Sequence, residues 1–341
     1  MNFLIVKLSA LGDIVQAFSV AAYLKQRFPS STVTWASEKI NASLVIANPN
    51  IDKVMELDLK SQSFSIELFL KSKRIIQENH YDVLFDLQGN MKSALVTSLA
   101  HADAKVGFAW SQLAEFPSGL ATSFKYKVPS NNIRESYLGL VKSFYKDVSP
   151  FHEEPLNLRL SPTERACFEH IVHHYCHTNK TLVAISHATR WSNKQLDDLK
   201  LANFLKEISE KKPMRFLFLP GSQKEKMEAL AISQNLEDAY VLEPLPIPVF
   251  QHLLCKMNLT IAMDSFALHL AGASHKPCFG FFGPSKGKFY APPGSFFFQG
   301  SCPYNIDFEK RCPKLRTCET GACLKNASSS EILDCFNRFD F

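Results

Sequence analysis

The stretch FLIVKLSALGDIVQAF, Phe3 to Phe18, decides how the chain is read. Phe3 to Val6 is an apolar run of strand length, and Ile14, Ala17, Phe18, Ala21 and Leu24 then recur at helical spacing. TVTW, Thr32 to Trp35, is the next strand candidate. Strand, loop, helix, strand opens a parallel α/β unit, because parallel neighbours need a crossover long enough to hold a helix. Between the first strand and its helix lie Ser9, Gly12 and Asp13. A single glycine precedes the helix and no Gly-Lys-Ser/Thr follows, so neither the dinucleotide fingerprint nor a P-loop is present there.

The rhythm continues through VMEL (Val54 to Leu57), DVLFDL (Asp82 to Leu87) and KVGF (Lys105 to Phe108). It resumes after residue 160 with LVAIS (Leu182 to Ser186), RFLFL (Arg215 to Leu219), AYVL (Ala239 to Leu242), LTIAM (Leu259 to Met263) and CFGFF (Cys278 to Phe282). Alternation of this kind predicts two α/β units with mainly parallel sheets. A chain of 341 residues also exceeds what one hydrophobic core usually supports. The stretch from Lys146 to Pro162 carries three prolines and mixed charges and is the candidate linker, giving expected domains 1–155 and 156–341 with a ligand between them. From about Pro292 the sequence turns irregular and rich in Pro, Gly, Cys and Phe, with a Cys-rich tail at about 300–325 before a last helix from about Ser328 to Asn337.

Composition narrows the function. No apolar run approaches the roughly 18 residues that cross a bilayer, and the N-terminus lacks a signal-peptide pattern, so a cytoplasmic protein is expected. A net charge of +5, with Lys and Arg scattered among acids, suits an anionic small ligand or an anionic membrane surface and argues against nucleic acid. Of nine cysteines, Cys302, Cys312, Cys318, Cys323 and Cys335 fall in the last 40 residues. Their spacing is not the C-x2-C of common zinc sites, which leaves either free thiols in a loop or a structural metal at Cys302, Cys312, Cys318 and Cys323.

In open parallel sheets ligands sit at the carboxyl ends of strands, and five loops there carry chemistry. Asp13 is either a first-turn acid complementing the helix dipole, worth about 0.3–1 kcal/mol, or a general base. FDLQGNMKSA (Phe85 to Ala94) offers Gln88 and Lys92 as donors, with Asp86 as a brace. ISHATRWSNKQ (Ile185 to Gln195) places Thr189, Arg190 and Lys194 where a phosphate would be held, the alternative being a solvated basic loop. In FLPGSQKEKMEAL (Phe218 to Leu230) Glu225 is a ribose ligand or a first-turn acid. In IAMDSFALHLAGASHKP (Ile261 to Pro277) Asp264 and Ser265 open a helix whose N-terminus can seat phosphate, with His269 five positions after Asp264.

In order and spacing these five loops resemble the lipopolysaccharide heptosyltransferases of glycosyltransferase family 9, and the resemblance runs over almost the whole chain. It implies the GT-B architecture, two Rossmann-like doubly wound domains facing a central cleft, with the C-terminal helix returning to the first domain. It also implies inverting transfer of heptose from ADP-heptose to Kdo–lipid A at the inner face of the cytoplasmic membrane, without a cofactor. Carried over by position, Asp13 is the base, and Gly12, Gln88 and Lys92 line the acceptor side. Thr189 and Lys194 hold the diphosphate, Glu225 the ribose, Met263 the adenine edge and Asp264 the heptose hydroxyls. Ser265 meets the phosphate and His269 braces that loop.

Several features depart from the family pattern. Phe266 stands where glycine is usual, QLDDL (Gln195 to Leu199) replaces a Trp-Pro pair, and cations around 60 to 75 reduce to Lys71, Lys73 and Arg74. Some relatives carry C-terminal cysteine clusters, and a subset that glycosylates proteins organises one around iron. Transfer to a protein acceptor, or nucleotide-sugar binding without catalysis, are therefore the competing expectations.

Overall fold

A computed structural model describes residues 1–59 and 66–339, so the first part of the 60 to 75 segment lies outside the described residues. The chain divides into two compact units, Met1–Glu154 and Pro155–Phe341.

In the first unit the strands are β1 (Asn2–Val6), β2 (Thr32–Glu38), β3 (Lys53–Leu57), β4 (His80–Asp86), β5 (His101–Phe108) and β6 (Phe124–Tyr126). The helices are α1 (Leu11–Arg27), α2 (Ala42–Ile46), α3 (Ile66–Gln77), α4 (Met91–Leu99) and α5 (Ile133–Phe144). The sheet order is β3-β2-β1-β4-β5-β6, parallel throughout. Phe3 to Val6 are all fully buried, as a central strand covered on both faces must be. Phe3 sits opposite Val33 on one side and Val83 on the other. The chain runs outward from β1 through β2 to β3 and then crosses back to set β4 on the other side of β1, so the loops after β1 and β4 open a crevice at the carboxyl edge.

The second unit repeats the plan. Its strands are β7 (Thr181–Ser186), β8 (Met214–Phe218), β9 (Ala239–Val241), β10 (Leu259–Met263), β11 (Cys278–Phe282) and β12 (Phe296–Gln299). Its helices are α6 (Pro162–Ile171), α7 (Asp198–Lys211), α8 (Gln223–Ser233), α9 (Ile247–Lys256), α10 (Phe266–Ala273), α11 (Gly287–Tyr290), α12 (Ala322–Lys325) and α13 (Ser329–Phe336). The order β12-β11-β10-β7-β8-β9 again puts the first strand beside the fourth. The division after Glu154 has a local cause. The Leu156 N–H donates to Ala273 O at 2.8 Å, and fully buried Gln251 donates to Leu156 O at 2.7 Å and accepts from the Leu158 N–H at 3.2 Å. The segment just beyond Glu154 is thereby bound to the second unit.

One expectation about the C-terminal region changes: Phe296 to Phe298 belong to β12, which extends the sheet beside β11, rather than to an irregular loop. The last helix, α13, contributes to the core of the second unit. Phe336 lies 5.3 Å from the Phe204 ring and 5.1 Å from Phe279, and Ile332 is buried in the same core.

Candidate active site

At the crevice of the first unit, the Asp86 carboxylate ends β4 fully inside the protein. It accepts from the Gln88 and Gly89 N–H groups at 2.9 and 3.0 Å and from the Ser93 hydroxyl at 2.9 Å. Burial pushes its pKa up, and those donors together with the Lys7 ammonium oppose the rise. Asp86 is therefore the brace anticipated from the sequence. Gln88 is occupied as well: its amide oxygen accepts the Leu8 and Ser9 N–H groups at 3.0 and 3.3 Å, tying the β4 loop to the β1 loop. Lys92 pairs with the buried Glu38 carboxylate at 3.1 Å. What these ties position is the start of α1. Its N-cap is Ala10, which has no side-chain acceptor, and Gly12 and Asp13 follow in the first turn. Asp13, half-buried, is the only acid in that turn.

On the second unit a charged cluster joins the β7 and β10 loops. Lys194 ends a short turn, Ser192–Lys194, and its Nζ lies 2.5 Å from Asp264 Oδ2. His269, one turn into α10, places Nε2 at 3.6 Å from the other oxygen, Oδ1. Burial alone would raise the Asp264 pKa, but the Lys194 ammonium and His269 outweigh it and hold the carboxyl well below the usual carboxylate range. Asp264 is thus a fixed anion, with Lys194 and His269 arranged about it. Ser265, the residue before α10, makes no capping bond, and its buried hydroxyl has no hydrogen-bond partner among the described residues. The α10 N-terminus therefore still has donors to offer an anion. Phe266, the first residue of α10, leans on Phe250 of α9, with ring centroids 6.2 Å apart.

The remaining predicted residues lie at the loops expected but use their side chains locally. The Thr189 hydroxyl donates to Trp191 O at 2.7 Å and accepts the Trp191 N–H at 3.2 Å. Glu225 accepts the Gly221 N–H at 2.7 Å, closing the turn before α8. Met263 is 1% exposed and belongs to the core. Arg190 stacks over Trp191 at 5.9 Å. Sequence reading missed His187 and Asn193. His187 is buried at the end of β7, where burial lowers its pKa, with Nε2 3.6 Å from Glu228. Nothing in a lone His beside a strand marks such a position beforehand.

The profile of glycosyltransferase family 9 (heptosyltransferase) matches residues 69–312. The chain belongs to glycosyltransferase family 9. It is accordingly a glycosyltransferase, and both units take part in the match. A lipopolysaccharide heptosyltransferase 1 of Campylobacter coli is 28% identical over 306 residues, covering 83% of this chain and 84% of that protein. Among solved structures, Escherichia coli heptosyltransferase WaaC with ADP superposes with a TM-score of 0.77 at 17% identity over 99% of both chains. The same protein with ADP-2-deoxy-2-fluoro heptose gives 0.76 at 18% identity, again over 99% of both chains. The two six-stranded parallel sheets are those of the GT-B fold.

The cysteines of this family 9 chain do not form a recognisable centre. All nine are free thiols. Among the described residues no three His, Cys, Asp or Glu side chains converge as a metal ion requires, so the ligand set Cys302, Cys312, Cys318 and Cys323 is not assembled. Burial and the neighbouring Cys302 and Cys318 push the Cys323 thiol up to about 11, whereas bonds from the Gly321 and Thr320 groups lower Cys318.

Proposed function

We propose that the protein transfers heptose from ADP-heptose to the Kdo inner core of lipopolysaccharide, with Asp13 as general base. The acceptor oxygen attacks the anomeric carbon, the bond to the ADP oxygen breaks, and Asp13 takes the acceptor proton. The departing diphosphate gathers charge that Lys194 and the α10 N-terminus are suited to stabilise. The observation that carries the reading is the buried Lys194, Asp264 and His269 cluster below an uncapped helix N-terminus. Lys194 has three N–H donors, so the contact with Asp264 leaves others for a phosphate oxygen.

A lipid-linked acceptor is supported by the surface next to the Gln88 loop. Phe116 and Leu120 are 68% and 82% exposed, Trp110 lies 4.8 Å from Phe116, and Met91 is exposed as well. This apolar segment is pinned to the β4 loop: Ala114 and Glu115 N–H groups donate to Gly89 O, and Glu115 accepts the Met91 N–H at 2.8 Å. Lys125 lies over the Trp110 ring at 5.0 Å, adding a cation suited to anionic headgroups. No helix among the described residues is long and apolar enough to cross a membrane, so contact with a bilayer would be peripheral.

The test is release of ADP from ADP-heptose with Kdo–lipid A as acceptor. Asp13→Asn is expected to lower turnover by at least about a hundredfold while leaving ADP affinity unchanged, the range typical of a positioned base. Near-normal turnover in that variant would remove Asp13 from the mechanism.

A further inference from the structure

The excursion that follows β12 and runs through α12, residues 300–325, has no part in the reading above, yet it reaches the proposed donor side at a buried side chain. Asn193 is 4% exposed and immediately precedes Lys194 in the same short turn. Its Nδ2 donates to Leu315 O at 2.6 Å and to Cys318 O at 3.1 Å. Both amide hydrogens are spent on carbonyls of the excursion, which also settles the orientation of the amide. A second contact lies alongside. Gly321 has φ +60°, and a Cβ there would fall 2.8 Å from Asn193 Cα, so the two backbones approach to a distance only glycine allows.

The far side of the excursion is anchored to the sheet. The Cys312 N–H donates to Pro284 O at 2.8 Å, and the Lys286 N–H donates to Lys310 O at 2.9 Å, both just beyond β11. Gly300, directly after β12, lies so close to the Cys323 carbonyl that a Cβ would come within 1.9 Å of its oxygen. One end of the loop is thus fixed to the strand ends and the other grips Asn193. Asp264 holds the Lys194 ammonium at the tip of a flexible four-carbon stem, and the turn that carries the Lys194 backbone holds the other end. Where that backbone lies therefore sets the angle from which Nζ reaches the cluster.

We propose that the Cys-rich excursion is a positioning strap for Lys194, acting through Asn193 and Gly321 on the nucleoside diphosphate of the donor. The proposal rests on the donor-side reading of Lys194. Asn193 is a positioning residue: it orders the turn that presents the lysine.

The experiment measures ADP affinity by calorimetry on the full chain, together with KM and kcat for the nucleotide sugar. Asn193→Ala removes both donors, and Asn193→Asp keeps the shape while replacing them with acceptors. Gly321→Ala disturbs the same junction from the strap's side. All three are expected to weaken ADP about tenfold and to raise KM by a similar factor, with kcat of the folded protein changed less than threefold. Tyr304→Ala, at an exposed position on the same excursion, leaves ADP affinity unchanged. A purely structural role would lower the melting temperature and the active fraction but leave the ADP affinity of the folded molecules intact, and that result overturns the proposal. Lys194→Met separates the two readings. If it leaves ADP affinity unchanged, the donor-side assignment fails. If it weakens ADP while Asn193→Ala and Gly321→Ala do not, the strap alone fails.

Discussion

Replacing Asp264 with asparagine removes one charge from the Lys194, Asp264 and His269 cluster with almost no change in shape. The two side chains of the main pair are 12% and 7% exposed, so the contact belongs to the buried regime and solvent screening does little to discount it. Removing one partner of a buried pair typically costs about 3–5 kcal/mol, because the other charge is left uncompensated. The asparagine oxygen still accepts one bond from Lys194, which favours the lower end, about 3 kcal/mol. For units of this size about 2–4 °C accompanies each kcal/mol, so Asp264→Asn is expected to lower the melting temperature by about 10 °C. Acid provides an independent check. The folded carboxyl titrates below its ordinary value of 3.8, so the stability it contributes is complete above that value and is lost as pH falls through the folded pKa. The gap between wild type and Asp264→Asn should therefore be constant from pH 7 to 5 and narrow below about pH 4. Differential scanning calorimetry across that range decides it. A variant that melts within 2 °C of wild type at pH 7, or a gap that widens in acid, would refute the buried-pair argument.

Substitutions at three further residues test the contacts that hold these loops and the segment after Glu154. Gln88→Ala withdraws the acceptor from the Leu8 and Ser9 N–H groups, which should cost about 1–3 kcal/mol in urea unfolding. It should also slow transfer through displacement of the α1 start, while ADP affinity, which the proposed donor site assigns to the other unit, is expected to stay unchanged. Gln251→Leu removes the bonds to Leu156, Leu158 and Ser274 from a fully buried site and should destabilise the chain by about 2–4 kcal/mol in the same assay. For Glu225, glutamine preserves an acceptor for the Gly221 N–H whereas alanine does not. Near-normal ADP affinity in Glu225→Gln with a loss in Glu225→Ala identifies a loop brace, and equal losses in both identify a carboxylate that touches the ribose.

Those substitutions follow from the way the sequence could and could not be read. The fold was legible because Phe3 to Val6 must be buried on both faces and the helical spacing after Asp13 allows only a crossover. The five loops were legible as positions, since carboxyl ends of parallel strands are where such chemistry sits. What each side chain does there was much less accessible. Gln88, Thr189 and Glu225 are the residue types that bind phosphates and sugars, but they are equally the types that satisfy loop N–H groups. In this structure they do the second. Met263 is drawn into the core by the same burial that makes β10 a central strand. Asn193 gave no signal at all, because its partners are the main-chain carbonyls of Leu315 and Cys318, more than 120 positions away, and a carbonyl has no residue type to recognise. The outcome is a division of labour. Polar side chains hold the loops in shape, and the groups the proposed chemistry draws on are of another kind: the N–H groups of the α10 N-terminus, the Lys194 ammonium and the first-turn acid Asp13. A substitution that keeps a loop brace's acceptor, as Glu225→Gln does for the Gly221 N–H, is therefore expected to be mild, whereas one at Asp13, Lys194 or the α10 N-terminus, the groups of the proposed chemistry, is not.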